Sequence, residues 1–296
     1  MKQIIMISLL LESLFSLSQT IKVVDKESRL AIQFATIKLL KDNKPVNGYY
    51  TDEKGNLDLN IANFDNQIVV SCVGYKTEKV ILKSGTNIIE LQEEIFNLKE
   101  VVISNKKHTQ IGYIDKPKAK SIVGVSTGLE VAVFIKNEFD YEVQINSIQF
   151  KVKKTKERVA FRVHLYKISE NELKPDEDLL YINSIYYIEP QTTGLVEINL
   201  SEYNIILPKK GVFVCIEGIV GINTNTTKSK QNVLKFETHK SSLPIYQERN
   251  QLNNVGWVNI NEWLPNNYLH TFNKLYDIET LYVPSFGITV SKIIKE

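Results

Sequence analysis

The chain has 296 residues, of which 43% are hydrophobic and 24% are charged, and its formal net charge is +2. This length corresponds to one or two domains with a sizeable hydrophobic core. A nearly balanced charge predicts no binding to nucleic acid or to an anionic membrane surface, because both depend on a strong excess of Lys and Arg. Abundant β-branched and aromatic residues favour strands over helices, so the composition predicts a mostly β protein.

The first 18 residues have the pattern of a signal peptide. Lys2 supplies a positive start, residues 4–15 are mostly apolar although Glu12 interrupts them, and Ser16 and Ser18 have the spacing of small residues before a cleavage site. The alternative is a buried first strand or helix. No segment reaches the roughly 18 apolar residues that a membrane-spanning helix needs. We therefore expect an extracytoplasmic protein in the periplasm, at the outer membrane or outside the cell.

Residues 19–92 contain short apolar segments separated by turn signals, which is typical of an all-β domain. Residues 57–61 alternate between apolar and polar side chains, whereas residues 68–73 are apolar on both faces, as in a central strand. Between two of these segments, Asp52 is placed to accept backbone N–H groups and Gly55 to adopt a positive φ, so a tight turn is predicted there. The pattern as a whole predicts about seven strands.

Three segments of this region indicate a family. They are the Thr-Asp-Glu-Lys-Gly turn at 51–55, the Val-Gly-Tyr end of a strand at 73–75 and Leu-Lys-Glu-Val-Val-Ile at 98–103. With these features, residues 20–104 resemble the carboxypeptidase-regulatory-like domain, a small transthyretin-like β-sandwich common in exported proteins of Bacteroidetes-type bacteria. The resemblance implies a scaffold or docking module that has no catalytic chemistry of its own.

Gly74 and Tyr75 have a structural and a functional interpretation. In the structural one, Gly74 relieves a tight bend and Tyr75 packs its ring over the end of the sandwich while its hydroxyl stays in water. In the functional one, the same pair belongs to a binding site. The structural interpretation is preferred because Gly at a strand end and Tyr at a core boundary are both common.

Residues 93–121 are predicted to form a linker. The stretch 105–120 holds five lysines and a proline, which is typical of a solvated connection between domains. One alternative is a contact site for an acidic partner. Another is an extra edge strand formed by residues 101–103.

Residues 122–296 are predicted to form a second and larger β-domain. Phe161, Val163 and Leu165 alternate with Arg162 and His164, which predicts one buried face and one exposed face. About eight antiparallel strands in this region predict a β-sandwich of jelly-roll type. It loosely resembles exported sandwich domains that bind carbohydrate or protein, but an analogy between folds does not assign a ligand.

An aromatic cluster near the end of the chain is the candidate ligand site. Trp257, Trp263 and Tyr268 lie in a segment rich in Asn. Aromatic faces stack on sugar rings and Asn amides bond sugar hydroxyls, so a glycan site is one interpretation. The alternative is that a tryptophan fills the end of the sandwich, because large aromatic side chains are usually buried.

The sequence contains no recognisable catalytic, metal or cofactor motif. The histidines at positions 108, 164, 239 and 270 have no zinc-binding spacing, and no nucleophile elbow, P-loop or dinucleotide fingerprint is present. Residues 176–178 are acidic, but the preceding residues 171–175 are predicted to form a solvated loop, and three adjacent carboxylates do not form a calcium cage. Cys72 and Cys215 lie within apolar strands and are predicted to be free buried thiols, the alternative being a bridge between the domains.

These observations predict an exported, non-enzymatic cell-envelope protein. Its first domain would be a scaffold or docking module, and its second would bind an envelope protein or a glycan, with no cofactor. The alternative is a secreted, glycosidase-like hydrolase whose paired carboxylates lie in the second domain, since glycoside hydrolysis needs two carboxyl groups close in space.

The spacing of Ser16 and Ser18 predicts cleavage just before Gln19 or Thr20. N-terminal sequencing of the exported protein checks this, and the expected mature chain begins at one of these two residues. A mature chain that still begins at Met1 would contradict both the signal peptide and the extracytoplasmic location.

Overall fold

The computed structural model describes residues 19–59, 64–94, 108–115, 123–221, 233–241, 246–253, 255–260 and 281–293. The chain divides into two compact units, one reaching to residue 95 and one made of most residues after it. Each unit is built from β-strands. The second unit also contains a short 3₁₀ helix. The all-β sandwich fold predicted from the sequence is confirmed.

The first unit contains seven described strands in two sheets. One sheet has the order β4-β1-β7 and the other the order β3-β2-β5-β6, and β1 pairs with β7 in parallel. Apolar side chains that alternate along both sheets, among them Ile21, Ile37 and Ile68, are fully buried and form one core. The strands are β1 (Gln19–Asp25), β2 (Thr36–Lys41), β3 (Lys44–Tyr50), β4 (Asn56–Leu59), β5 (Gln67–Ser71), β6 (Glu78–Ile81) and β7 (Thr86–Leu91).

The turn between β3 and β4 has the predicted chemistry. Asp52 Oδ1 accepts the backbone N–H groups of Lys54 at 2.9 Å and Asn56 at 2.7 Å. Gly55 has φ +73°, and a Cβ atom at this position would lie 2.6 Å from the carbonyl oxygen of Val23. The turn therefore requires glycine both for its backbone conformation and for its close approach to β1.

Gly74 and Tyr75 form the turn that follows β5. Gly74 has φ +82°, and the Tyr75 N–H donates to the carbonyl of Cys72 at 3.1 Å. The Tyr75 ring is half-buried against the core of the first unit. Burial, followed by the nearby Asp25 carboxylate, raises the pKa of the Tyr75 phenol to about 12. Both residues therefore have structural roles in this turn.

The second unit is a larger sandwich. Its described elements are β8 (Thr109–Gly112), β9 (Val123–Val125), β10 (Leu129–Ile135), β11 (Val143–Val152), β12 (Val159–Ile168), β13 (Pro175–Asp178), β14 (Ile185–Ile188), β15 (Gly194–Asn199), the 3₁₀ helix η1 (Ser201–Tyr203), β16 (Val212–Gly221), β17 (Leu234–Phe236), β18 (Thr238–Ser241), β19 (Tyr246–Asn250), β20 (Val255–Asn259), β21 (Leu281–Pro284) and β22 (Phe286–Lys292).

Two sheets face each other in this unit. The front sheet has the order β13-β12-β16-β10-β19-β20, with β14 also paired to β12, and the back sheet has the order β8-β22-β11-β17-β9, with β15 also paired to β11. Phe150 of the back sheet meets Phe161 of the front sheet edge-on at 5.5 Å between ring centroids. Phe236 and Phe286 contact Phe150 in the same way. These fully buried rings form the centre of the core.

Several elements differ from the sequence predictions. Residues 109–112, assigned to the linker, form β8 and pair with β22 of the back sheet, because Ile111 can join the core beside Ile288. Residues 176–178, for which no strand was predicted, lie in β13 and pair with β12, and of the predicted solvated loop at 171–175 only Pro175 belongs to this strand. Both segments carry too few apolar residues to show a strand pattern. Cys72 and Cys215 are buried thiols that form no disulfide with each other, as predicted.

Replacing Gly55 by alanine should destabilise the first unit more than the same change at Gly85. Both glycines have positive φ, but a Cβ at Gly85 meets no atom within 4 Å, whereas one at Gly55 meets the β1 backbone. We expect a loss of about 1 kcal/mol for Gly85→Ala from backbone strain alone, and a clearly larger loss for Gly55→Ala. Amide hydrogen exchange in β1 measures both losses. Equal losses in the two variants would show that β1 moves aside at no cost.

Candidate functional site

Polar side chains cluster on the outer face of the front sheet, opposite the phenylalanine core. Arg162 on β12 and Glu130 on β10 each lie in register with Glu217 on β16, and His164 follows Arg162 on the same face. These four side chains are buried, with relative exposures between 0% and 3%. We call them, together with Asp178 and Arg249, the ionic cluster. The predicted exposure of Arg162 and His164 is therefore wrong, although the predicted alternation is correct.

His164 is at the centre of the ionic cluster. Its Nδ1 lies 2.6 Å from Asp178 Oδ2, and its Nε2 lies 3.1 Å from Glu217 Oε2 and 3.9 Å from Glu130 Oε1. Asp178 is held in place because its Oδ1 accepts the backbone N–H groups of Leu165 and Leu180. Both ring nitrogens therefore face carboxylate oxygens, which is the arrangement of a doubly protonated imidazolium.

The environment of His164 stabilises its charged form. Burial on its own lowers the pKa of a histidine. Here the Asp178 carboxylate opposes that effect, with further contributions from Glu217 and Glu130, and the pKa of His164 rises to about 10. The residue is therefore an imidazolium at neutral pH, and it acts as a buried cation.

Two arginines supply the other positive charges. Arg162 donates to Glu217 Oε2 at 2.7 Å, and its Nε and Nη2 donate to Asn183 Oδ1. Arg249 Nε donates to Glu130 Oε2 at 2.6 Å. Gln251 donates to the other oxygen of the same carboxylate, Glu130 Oε1, at 2.9 Å. The two fully buried carboxylates, Glu217 and Glu130, are thus each bound by a guanidinium.

The charges of the ionic cluster cancel. Three carboxylates, from Glu130, Asp178 and Glu217, face two guanidinium groups and one imidazolium. An uncompensated buried charge would be strongly destabilising, so this balance explains how so many ionic groups tolerate burial. The arrangement binds a proton tightly and stabilises the packing of the five strands that carry its members. It does not present a carboxylate or an imidazole to a substrate in solvent.

Three members of the cluster have the chemistry of metal ligands. One ligand atom from each of Glu130, His164 and Glu217 lies within 4.8 Å of the other two. The Asp178 contact at Nδ1 would also orient the imidazole towards a cation, as carboxylates do for zinc-bound histidines. However, Arg162 already donates to the Glu217 oxygen that faces His164. A cation would have to displace the His164 proton beside two guanidinium groups, so the donor set fits a metal poorly.

A second buried histidine is paired with a serine. His239 Nε2 lies 2.6 Å from the Ser285 hydroxyl, a distance that would suit a nucleophile and its base. Both side chains have 0% relative exposure. The pair joins the end of β18 to the connection between β21 and β22, and its burial makes it a structural hydrogen bond.

Trp257 lies beside the ionic cluster. It is half-buried on β20, with the Arg249 guanidinium 4.3 Å from its ring centroid and the Tyr166 ring edge-on at 5.6 Å. It therefore covers the Arg249–Glu130 pair on the outer face of the sheet instead of filling the sandwich core. Trp263 and Tyr268, the other two residues of the predicted ligand site, lie outside the described residues, so a shared aromatic surface stays a prediction.

No direct sequence signal indicates the ionic cluster, because its members are far apart in the chain. Glu130, Arg162, Glu217 and Arg249 come from four strands that become neighbours in the sheet. Asp178 was predicted only as one of three adjacent acidic residues that follow a solvated loop, yet its side chain reaches the His164 ring. One local signal existed, namely ionic residues at alternate positions on strands whose other positions are strongly apolar.

Comparison with known proteins identifies part of the chain. Residues 22–103 match the family model of the CarboxypepD_reg-like domain, which confirms the family resemblance of this region. The match begins within β1 and includes the other six strands of the first unit, and its end at residue 103 lies a few residues beyond the division of the two units at residue 95. No curated protein matches the chain.

Two solved structures are similar to the chain at low identity. A candidate carbohydrate-binding protein from Bacteroides uniformis shares 12% identity with a TM-score of 0.23, and the match covers 93% of this chain and 98% of that one. The TIE protein of Bacillus anthracis shares 13% identity with a TM-score of 0.21, over 81% of this chain and 46% of that one. This chain thus spans less than half of the second protein, and TM-scores this low do not establish a shared fold.

Within the described ranges, no helix has the length and apolar character needed to span a membrane.

The second unit should lose stability as pH rises above neutral. The pKa of His164 is about 10 in the folded protein and about 6.5 in an unfolded chain, so its stabilisation is complete below pH 6.5 and is lost as pH approaches 10. The expected loss is about 1.4 kcal/mol per pH unit between pH 7 and 8.5. Urea denaturation followed by tryptophan fluorescence measures it.

The matched control is His164→Gln, which should be less stable at pH 7 but should show a much flatter dependence on pH. Burial raises the pKa of Cys215 and Tyr166 in the folded protein, so these groups ionise first in the unfolded chain. Below pH 8.5 their contribution is small, and it is the same in the His164→Gln control, so the difference between the two proteins isolates His164. A free energy of unfolding that stays constant over this range in the unmodified protein would mean that His164 is neutral.

Proposed function

We propose that this protein is an exported, non-enzymatic component of the cell envelope. The CarboxypepD_reg-like domain acts as a scaffold or docking module, and the larger β-sandwich binds a protein or a glycan of the envelope. The observation that carries the proposal is the closed ionic cluster of the second unit. The strongest candidates for acid–base chemistry in the described residues, His164 and its carboxylate partners, are buried and bound to one another.

Cleavage at the expected point is compatible with the first sheet, whose strand β1 is described from Gln19 onwards. Its pairing with β4 begins at Gln19 and its pairing with β7 begins at Thr20. Cleavage before either residue would therefore leave the sheet almost intact.

The hydrolase alternative requires two carboxyl groups of the second unit that can reach a substrate. Glu130 and Glu217 are the close carboxylate pair of the second unit, and they lie directly opposite each other in register. In a glycosidase one carboxyl group must protonate the leaving group and the other must face the sugar or a water molecule. Here each is bound by an arginine and is fully buried. This geometry favours a structural role for the pair.

The proposal is tested with the purified mature chain on two immobilised probes, the surface polysaccharide and the solubilised outer-membrane proteins of the host bacterium. We expect reversible retention on one probe and no chemical change in it, measured by surface plasmon resonance and by mass spectrometry of the eluate. Release of cleaved products that is abolished by Glu217→Gln would favour the hydrolase. Retention on neither probe would contradict the binding role.

A further inference from the structure

The second unit is open along one side. β14 is an edge strand of the front sheet and β15 an edge strand of the back sheet, and the two follow each other in the chain. Val196 and Ile198 of β15 lie in register with Phe150 and Ile148, whose side chains are fully buried in the core. The two β15 side chains face the same core but are only half-buried. The sandwich therefore does not close between β14 and β15.

Two tyrosines border this opening. Tyr186 on β14 packs against Phe161 with 5.7 Å between ring centroids, and it remains partly exposed. Tyr203 at the end of η1 also packs on the edge of the core and is partly exposed. Ser184 lies near both phenol groups, and its hydroxyl lowers the pKa of each. We call Ser184, Tyr186, Val196, Ile198 and Tyr203 the tyrosine side.

The tyrosine side is held rigidly. Gln144 donates to the carbonyl of Ser201 at 2.9 Å, and the Ser201 N–H donates to Asn199 Oδ1 at 2.9 Å. The chain just before η1 is bound to β11, since the Leu200 N–H donates to the carbonyl of Asn146 at 2.7 Å. Rings that are already ordered lose little conformational entropy when a ligand binds, and tyrosine contributes a large contact area with few rotatable bonds.

The chemistry of this surface combines apolar ring faces with hydrogen-bonding groups. Burial raises the pKa of both phenols, so each hydroxyl stays protonated and able to donate at neutral pH. Glu202 precedes Tyr203, its carboxylate raises the pKa of the Tyr203 phenol, and it adds a hydrogen-bond acceptor to this surface. A sugar presents C–H faces that pack on aromatic rings and hydroxyls that bond to phenol, serine and carboxylate groups. The Glu202 charge disfavours an anionic sugar.

We propose that the tyrosine side binds a neutral oligosaccharide, with Tyr186 and Tyr203 contacting the sugar faces and Ser184 and Glu202 contacting its hydroxyls. The inference rests on the proposed function, because it assigns the binding role of the second unit to one surface and one ligand class. It places the site away from Trp257, whose ring is covered by Arg249 and Tyr166.

Affinity electrophoresis of the mature chain tests the site. The probes are the neutral polysaccharides mannan, xylan and laminarin, with acidic polygalacturonate as the charged comparison. We expect retardation by at least one neutral probe and not by polygalacturonate. Tyr203→Ala should weaken retardation about tenfold, the ratio given by loss of about 1.4 kcal/mol of binding free energy, and Tyr186→Phe, which keeps the ring packed on Phe161, should weaken it severalfold.

Tyr141→Ala is the matched control. Tyr141 is 43% exposed and contacts Lys292 instead of the tyrosine side, so its removal should leave retardation unchanged. Melting temperatures of all variants report on folding, and Tyr203→Phe replaces Tyr203→Ala if the alanine variant is unstable.

Three results would overturn the proposal. Retardation by a neutral probe that survives both tyrosine substitutions would place the site elsewhere while leaving the proposed binding function intact. Retardation by polygalacturonate alone would contradict the neutral ligand class. Retardation by no polysaccharide, together with retention on immobilised outer-membrane proteins, would assign the unit a protein partner instead.

Discussion

The ion pair between His164 and Asp178 is the interaction on which the architecture of the second unit depends. It connects β12 to β13 across a 2.6 Å contact, and through Glu217 and Glu130 it extends to β16 and β10. Removing one partner from such a network leaves a buried charge without compensation, which is far more destabilising than the net stabilisation of an exposed pair. The front sheet therefore has two cohesive faces, an aromatic and aliphatic face towards the back sheet and an ionic face on the other side.

The groups that stabilise the front sheet are therefore different from the groups that we propose for ligand binding. The described residues with the strongest potential for catalysis neutralise each other within the front sheet, so the charge that would polarise a substrate is used to hold strands together. Groups suited to binding lie where the sandwich is open, at half-buried tyrosines between two edge strands. The CarboxypepD_reg-like domain adds a second sandwich whose tight turns, such as the one closed by Asp52 and Gly55, have structural roles. Together these features are typical of a binding protein built from rigid β-modules.

Much of the fold could be predicted from the sequence, because strand periodicity and turn chemistry are local. Asp52 and Gly55 indicate a turn within four residues, and the alternation at 161–165 predicts β12. The solvent exposure of the polar face could not be predicted in this way. In the sequence, Arg162 and His164 have the pattern of an exposed face. Their burial depends on Asp178, Glu217 and Arg249, which lie on other strands. The same limit applies to Tyr186 and Tyr203, because the opening that exposes them exists only once β14 and β15 belong to different sheets.

The protonation state of His164 at pH 8 tests the central claim most directly. ¹⁵N NMR of the imidazole, assigned by comparison with His164→Gln, distinguishes an imidazolium from either neutral tautomer. The account predicts that both ring nitrogens carry protons at pH 8, with titration approaching pH 10. A neutral ring at pH 8 would contradict it, because the cluster would then hold an unbalanced negative charge and could not be the closed, charge-neutral network described for the front sheet.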